Sequence, residues 1–109
     1  SDFIQEIFDE PGEHADEMET SLGLAYFSDL IEMEKADEGK ENPSKLESLN
    51  RGWISMSRPW HLATTNTGIG NPHPATAEKG KQLMEKLVDR LSQILIELAT
   101  TEMTDTFPY

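Results

Sequence analysis

The chain has 109 residues and a formal net charge of −12, with nine basic and twenty-one acidic side chains. An acidic surface repels nucleic acid and anionic membranes, and no basic stripe or aromatic platform offsets it, so neither is expected as a partner. Cysteine is absent, which excludes disulfides, thiolate metal sites and a cysteine nucleophile, and fits a cytoplasmic protein.

The first residues predict a strand rather than a targeting segment. Ser1-Asp2-Phe3 has no basic or apolar region typical of a signal peptide, and no apolar run approaches the roughly 18 residues of a membrane helix. The chain enters an apolar run at once, as if it began within a domain. That run, Phe3 to Phe8, is β-rich and is closed by Pro11-Gly12, which predicts a strand that needs neighbouring strands.

A helix is predicted next, from about Asp16 to Met33. Its apolar side chains cover a wide arc, which indicates burial on more than one side. Acidic residues in its first turn are favoured by the helix dipole. Residues 34–48 are charged and contain turn-forming Gly39 and Pro43, so a loop is predicted there.

The second half of the chain ends in the clearest element. Residues 49–74 have an irregular pattern that could contain short strands. From Pro74 to about Thr101, apolar residues recur at helical spacing, which predicts a long helix with a buried stripe. A strand, a helix, a long connection and a long helix together predict part of a layered α/β domain whose sheet lies mostly elsewhere.

The run with most chemistry is Glu13 to Ser21. It places one imidazole and four carboxylates at the predicted strand-to-helix junction, where sites form in open α/β sheets. Such donors suit zinc, manganese or iron. His14 and Glu19 converge only if His14 precedes the helix proper, which Gly12 permits. Spacing alone leaves two interpretations open: a metal or catalytic site, and an acidic helix start with a nearby histidine.

Two motifs resemble those of creatininase-family amidohydrolases. In the first, a His, small residues and a Glu-Thr-Ser open a helix; here these are His14, Ala15, Glu19, Thr20, Ser21, Leu22 and Leu24-Ala25. The second precedes the last helix of the family and is matched by Thr67-Gly68-Ile69-Gly70-Asn71-Pro72 and Ala75-Thr76-Ala77-Glu78-Lys79-Gly80. The resemblance spans about Gly12 to Leu98. It identifies residues 1–109 as the carboxy-terminal part of a single creatininase-like domain.

This resemblance implies a fold and a reaction. The fold is a three-layer α/β/α sandwich, of which the chain would lack the amino-terminal half. The reaction is metal-dependent hydrolysis of a small cyclic or linear amide, with creatinine as the name substrate, through a metal-held hydroxide. His14 would protonate the leaving nitrogen and Glu13 would orient it or tune its charge. Glu19 would lie at the metal, as a ligand or next to one. Glu17 is expected to be solvated.

The implied divalent metal is zinc, or else manganese or iron, with most ligands in the missing amino-terminal half. A carboxylate and one histidine cannot hold a catalytic metal tightly where such sites need three or more protein ligands. The chain by itself is therefore expected to be inactive. Family oligomers, commonly hexamers, imply a homo-oligomer, and the exposed apolar faces of a half-domain would need the amino-terminal segment as a partner.

The chain departs from the family pattern at three places. Asp16 stands where the family commonly has Gly, and Asn71 replaces an Asp. Creatinine-cleaving members carry a Trp shortly before the Glu-His pair, and its absence here puts creatinine itself in question. Four other residues are assigned to packing or loops before any site role, although the tryptophans could line a pocket: Trp53, Trp60, His61 and His73. The segment Gly68-Ile69-Gly70 predicts a turn and not a dinucleotide loop.

Two alternatives remain. One is a non-enzymatic acidic interaction domain, in which the long helix packs against a partner and the acids around His14 are only solvated. The other is a family member that has lost its metal, for which Asp16 is a hint. The placement of His14 and Glu19 separates enzyme from interaction domain: convergence on one cleft favours the enzyme, and divergence into solvent favours the domain.

Overall fold

A computed structural model describes residues 2–109, with Asp2 described by its backbone alone. Two 3₁₀ turns, Ser28–Leu30 and Met33–Lys35, lie in the first third of the chain. Over residues 2–109 no strand forms, and a single isolated bridge pairs His14 with Ile69. The α-helices of this part are α1 (Asp2–Ile7), α2 (Glu17–Tyr26), α3 (Glu47–Asn50), α4 (Trp60–Ala63) and α5 (Ala77–Thr100).

The predicted strand at Phe3–Phe8 is wrong, because this segment forms α1. Two apolar residues, two polar residues and two apolar residues follow one another there, which places the apolar groups on one side of a helix. That side packs against α5, where Phe3 and Phe8 are buried with Leu83. Each such side chain contributes about 1.5–3 kcal/mol when removed from water. Packing on α5 therefore outweighs the strand preference of the six residues.

The helix predicted from Asp16 to Met33 is shorter than expected. α2 ends at Tyr26, and the chain turns back through the two 3₁₀ turns. Gly23 lacks a side chain, and the Ile31 side chain occupies the space, since a Cβ on Gly23 would lie 2.7 Å from its Cδ1 atom. Glycine also weakens a helix by about 1 kcal/mol relative to alanine. The returning segment thus covers the end of α2.

The contact between α2 and α5 is the main interhelical packing in the described chain. It is close because Gly80 of α5 lies against the backbone of Ser21, where any Cβ would overlap the Ser21 carbonyl group. Ser21 is wholly buried, and its hydroxyl accepts a hydrogen bond from the Thr76 amide at 3.2 Å. The Thr76 hydroxyl in turn caps α5 by accepting from the Lys79 amide. The start of α5 is therefore fixed on α2.

The long helix α5 has nearly the predicted bounds, but most of the apolar residues predicted to be buried on it are exposed. Gly80 and Leu83 are its buried residues, and the apolar residues of its second half are exposed in this chain. The radius of gyration is 18.2 Å, against about 13 Å for a compact domain of this length, because α5 projects beyond the other helices. The predicted buried stripe thus exists as an exposed apolar side, formed by Leu87, Val88, Leu91, Ile94, Leu95 and Leu98.

The connection between α2 and α5 contains the short helices α3 and α4, and the short strands considered for residues 49–74 do not form there. Many backbone groups there pair within single turns of α3 and α4, whereas Ile69 pairs with His14 and the Ala63 carbonyl accepts from the Asn42 amide. The loop predicted from residue 34 to 48 is observed as far as Leu46, apart from the second 3₁₀ turn. In residues 2–109 no helix is long and apolar enough to cross a membrane.

Candidate functional site

The backbone of Glu13 and His14 is held by a turn from the other motif. The Ile69 carbonyl accepts from the amides of Glu13 at 2.8 Å and His14 at 2.9 Å, and the Ile69 amide donates back to the His14 carbonyl at 2.9 Å. Gly70 follows with a φ of +145°, and a Cβ there would lie 2.5 Å from the Cβ of Asp16. Glycine is therefore required at this close approach. The segment 68–70, for which a turn was predicted, forms the bridge at Ile69 and a bend at Gly70, and it fixes the backbone of the site.

His14 lies just before α2, as its convergence with Glu19 required. Ala15 has a φ of +51°, a left-handed conformation that costs a non-glycine residue free energy and often occurs at functional sites. Asp16 then caps α2: its Oδ1 accepts from the Glu19 amide at 2.9 Å and its Oδ2 from the Gly12 amide at 2.7 Å. The extra acid that departs from the family pattern is thus a buried helix cap.

His14 and Glu19 converge on the same place. Nδ1 of His14 lies 3.5 Å from Oε2 of Glu19, and the two side chains are 50% and 51% exposed. The same Glu19 oxygen accepts from the Ala15 amide at 2.5 Å, which holds the carboxylate beside the ring. The imidazole is therefore paired on one nitrogen while half of the side chain stays open to solvent.

Glu13 faces a different partner. Its Oε1 accepts from Nη2 of Arg58 at 2.5 Å, and the other side of the guanidinium binds Glu41. Hydrogen bonding to Glu41, together with the charge of Glu13, raises the pKa of Arg58. Arg58 therefore stays cationic and ties Glu13 to the segment before α4. The irregular pattern of this segment gave no sequence signal for Arg58.

Trp60 places an aromatic ring against His14. The two ring centroids are 5.6 Å apart with an interplanar angle of 76°, an edge-to-face contact. The Trp60 indole nitrogen donates to the Thr67 carbonyl at 2.9 Å, and the Arg58 guanidinium lies 5.9 Å from its centroid. Trp53, in contrast, is 71% exposed and is stacked with Arg51 away from these contacts.

An open cavity of about 700 Å³ lies on the Arg58 side of Glu13. Its charged walls are Glu13, Glu41 and Arg58, which together carry one net negative charge. Its remaining walls alternate small polar groups with apolar side chains, among them Leu49, Ile54, Met56 and Leu62. The cavity can therefore receive a small, neutral or cationic molecule with an apolar part.

Glu17 is not solvated, contrary to the prediction. Its side chain is fully buried, accepts from the Glu10 amide at 2.6 Å and forms an ion pair with Lys79. Lys79 also binds Asp9 at 2.7 Å, and these hydrogen bonds, to Asp9 first and then to Glu17, raise the pKa of Lys79. The Glu17 carboxylate can be buried because Lys79 of α5 supplies the opposite charge. The two residues are 62 positions apart, so the spacing of residues around Glu17 does not reveal this contact.

The other residues named from the sequence lie outside this arrangement. Asn71, the replacement for an Asp, donates from Nδ2 to Glu10 at 2.9 Å and accepts from the His73 amide at 3.1 Å. His61 and His73 are both exposed, His61 in α4 and His73 in the turn before α5. No contact in the described chain joins either histidine to His14.

The donor set tests whether a metal fits. Two ligands of a tetrahedral zinc, each about 2.1 Å from the ion, are about 3.4 Å apart, and the His14 and Glu19 atoms are 3.5 Å apart. These two could share an ion. Residues 2–109 bring together no group of three or more metal-binding side chains, however, so this part of the chain does not form a complete site.

Comparison with known proteins identifies the family. The family model Creatininase, described as creatinine amidohydrolase, matches residues 4–95. The chain belongs to the creatininase family. A crystal structure of a protein from Bacteroides fragilis NCTC 9343, provisionally named a creatinine amidohydrolase, superposes with a TM-score of 0.80 at 32% identity over 93% of this chain. No curated protein matches the chain significantly.

The creatininase match supports the fold as well as the family. The described helices reproduce the corresponding part of the Bacteroides structure, although this chain spans only 40% of that protein. The residues named by the two motifs lie at one junction, where the turn at Ile69 and the start of α5 both contact the start of α2.

Proposed function

We propose that the chain supplies the proton-handling side of a creatininase-type active site that hydrolyses a small cyclic or linear amide C–N bond. The observation that carries this proposal is the convergence of His14 and Glu19, whose side-chain atoms are 3.5 Å apart at the start of α2 while both remain half exposed. A general acid must be reachable by substrate and held in one orientation, and this pair has both properties.

His14 is proposed to protonate the leaving nitrogen. With Nδ1 3.5 Å from the Glu19 carboxylate, the second ring nitrogen is left to exchange a proton with substrate. Glu13 is proposed to tune this step electrostatically from the neighbouring backbone position. Its carboxylate is held by Arg58, so its charge stays in a defined place.

A divalent metal belongs to the same proposal, with zinc first and manganese or iron as the other choices. Such an ion lowers the pKa of water and so supplies a nucleophile at neutral pH. Glu19 is proposed as its ligand or as a partner of a ligand, with His14 close by. Since residues 2–109 do not complete a ligand set, most ligands are proposed to come from the amino-terminal part of the fold.

That amino-terminal part is also proposed to complete an α/β/α sandwich and to cover the apolar side of α5. The Bacteroides protein contains more chain than the 40% matched here, and α5 exposes seven large apolar residues. Apolar patches of this size are usually contact surfaces. We further propose a homo-oligomer, a hexamer in the family pattern. Light scattering of the complete fold would measure its mass, and a monomer would contradict this part.

The experiment that tests the function uses the complete fold, with this chain and its amino-terminal part. Turnover of creatinine, a five-membered lactam, a formamide and a dipeptide would be measured with His14→Asn and Glu19→Gln variants. We expect His14→Asn to lower kcat by about 10²–10⁴-fold, the usual contribution of a general acid. His61→Asn is the matched control, because His61 is exposed on α4 and should leave kcat unchanged.

Two results would contradict the proposal. Full activity of His14→Asn would show that His14 is not the general acid. Hydrolysis by the 109-residue chain alone would show that the amino-terminal part is not needed. Metal content of the complete fold and of Glu19→Gln, measured by mass spectrometry, tests the metal. Equal metal in both proteins would exclude Glu19 as a ligand.

A second candidate is an acidic interaction domain without enzymatic activity. The exposed apolar side of α5 favours it, because this surface is suited to a partner helix or sheet. It predicts that the complete fold turns over none of the four amides and binds no metal. Stable association through α5 in the absence of both properties would support this candidate.

A further inference from the structure

Two neighbouring site residues are each held by a separate member of the segment 58–60. Arg58 donates from Nη2 to Oε1 of Glu13 at 2.5 Å. The Trp60 ring contacts the His14 ring edge to face, with 5.6 Å between the two centroids. We propose that Arg58 and Trp60 are positioning residues, which keep the Glu13 carboxylate and the His14 imidazole in the arrangement that proton transfer requires. This inference rests on the function proposed for His14.

The two holding side chains are themselves fixed. Trp60 donates from its indole nitrogen to the Thr67 carbonyl at 2.9 Å, and Arg58 stacks on its ring while binding Glu41. Pro59 lies between them with a φ of −65°, the value that its ring imposes. The Arg58 side chain is 28% exposed, so little of it is free in solvent. Neither residue can move without breaking several of these contacts.

This fixation matters because the side chains of Glu13 and His14 are both about half exposed to solvent. Their backbone is tied to Ile69, but the side chain of Glu13 is 53% exposed and that of His14 is 50% exposed. A general acid loses rate steeply when it is displaced from the atom it protonates. Arg58 and Trp60 restrict those side chains from the segment 58–60, while Glu19 holds His14 from the start of α2.

The chain contains a matched control for this arrangement. Arg51-Gly52-Trp53 repeats the Arg-x-Trp pattern, and Arg51 lies 5.3 Å from the Trp53 centroid, as Arg58 does at 5.9 Å from Trp60. Arg51 pairs with Glu47 of α3, and Trp53 is largely exposed. Arg51→Gln and Trp53→Leu thus remove the same chemical groups at a place that holds no site residue.

The first test is spectroscopic and needs no substrate. In histidine-labelled chain, Trp60→Leu should shift the ring-proton resonances of His14 and abolish the nuclear Overhauser contact between the two rings. Trp60→Phe keeps a ring and should shift them less. Trp53→Leu should leave the His14 resonances in place. If the His14 resonances are the same in Trp60→Leu and in wild type, the positioning role is wrong, whatever the protein catalyses.

The second test measures kcat and KM in the complete fold, with whichever of creatinine, the lactam, the formamide and the dipeptide is turned over fastest. Loss of an orienting side chain typically costs 10–100-fold, so Arg58→Gln and Trp60→Leu should lower kcat by about that factor with KM nearly constant. Arg58→Lys should recover part of the loss, and Arg51→Gln and Trp53→Leu should remain at wild-type rate.

The outcomes separate this inference from the proposed function. Unchanged kcat in Arg58→Gln and Trp60→Leu, with activity lost in His14→Asn, overturns positioning alone. A raised KM at constant kcat also overturns it, because the two residues would then bind substrate. Full activity of His14→Asn overturns the proposed function, and the resonance test still decides the placement of the ring. If circular dichroism shows Trp60→Leu unfolded, Trp60→Phe and Arg58→Gln carry both tests.

Discussion

Lys79, in the first turn of α5, forms an ion pair with Glu17, in the first turn of α2, across 62 residues of chain. Glu17 is wholly buried, and Lys79 completes its own contacts with Asp9 at 2.7 Å and the Pro74 carbonyl at 3.2 Å. Both residues lie inside the two creatininase motifs. The motifs therefore meet at a buried structural ion pair as well as at the residues proposed for proton transfer.

Replacing Lys79 by Met should destabilise the chain by about 3 kcal/mol, because it leaves the Glu17 carboxylate buried without its counter-charge. The free energy of unfolding in urea, followed by circular dichroism, measures the loss. Lys81→Met serves as the control, since Lys81 is exposed on the same helix.

The double variant Glu17→Gln with Lys79→Met gives a sharper result. Removing both charges should recover a large part of the stability lost in Lys79→Met alone, because no unpaired charge is then buried. Equal stability of the single and the double variant would show that the lysine acts by packing and not by charge.

The same ion pair predicts a loss of stability in alkali. Hydrogen bonds to Asp9 and then Glu17 raise the pKa of Lys79 in the folded chain. Its contribution to stability is therefore complete below the unfolded lysine pKa of about 10.4 and falls as pH rises through the higher folded value. Urea midpoints between pH 9 and 12 should fall more steeply for wild type than for Lys79→Met. Parallel curves would contradict the assignment.

Asp16→Ala should cost about 2 kcal/mol, the upper end of the range for a lost helix cap, because one carboxylate serves both the Glu19 and the Gly12 amides. Asp16→Asn should lose less, since the amide oxygen can still accept from Glu19. Thr76→Ala at the start of α5 gives a comparison with one capping bond, at about 1 kcal/mol. A loss in Asp16→Ala no larger than that in Thr76→Ala would show that the Gly12 contact contributes nothing.

Substitutions of Leu83 and Leu91 compare the contribution to stability of a buried and an exposed leucine of α5. Leu83 is 2% exposed beside Phe3 and Phe8, so Leu83→Ala should cost about 2–5 kcal/mol. Leu91 is 57% exposed, and Leu91→Ala should change stability by less than about 0.5 kcal/mol in this chain. Comparing both variants in the complete fold reveals whether the amino-terminal part covers Leu91. If Leu91→Ala leaves the stability of the complete fold nearly unchanged, the amino-terminal part does not cover Leu91.

The sequence predicted elements well where one period extended over many residues. α5 was located to within three residues because its apolar spacing persists for about six turns. α1 was assigned wrongly because six residues rich in β-formers were weighed by composition, although their two-by-two alternation already had helical spacing. α2 ended early at a contact with Ile31 that only the folded chain contains.

The site divided in the same way. The motif resemblance named His14, Glu13 and Glu19, and the structure brings His14 and Glu19 together, while their roles remain proposals. Arg58 escaped prediction because it lies 45 residues from Glu13, in a segment without any period. The side chain of Glu17 was predicted to be exposed because its partner, Lys79, is distant in sequence. Burial of a charge depends on such a partner and cannot be inferred from local spacing.

The Ile69 carbonyl accepts from two successive amides, those of Glu13 and His14. The backbone of both residues is thus fixed by one carbonyl group, whereas their side chains are held separately, that of Glu13 by Arg58 and that of His14 by Trp60 and Glu19. Changes of side chain at positions 58 to 60 could redirect the carboxylate or the imidazole without shifting the backbone that carries them. The orientation of each side chain can therefore change separately, whereas a change at Ile69 would displace the two residues together.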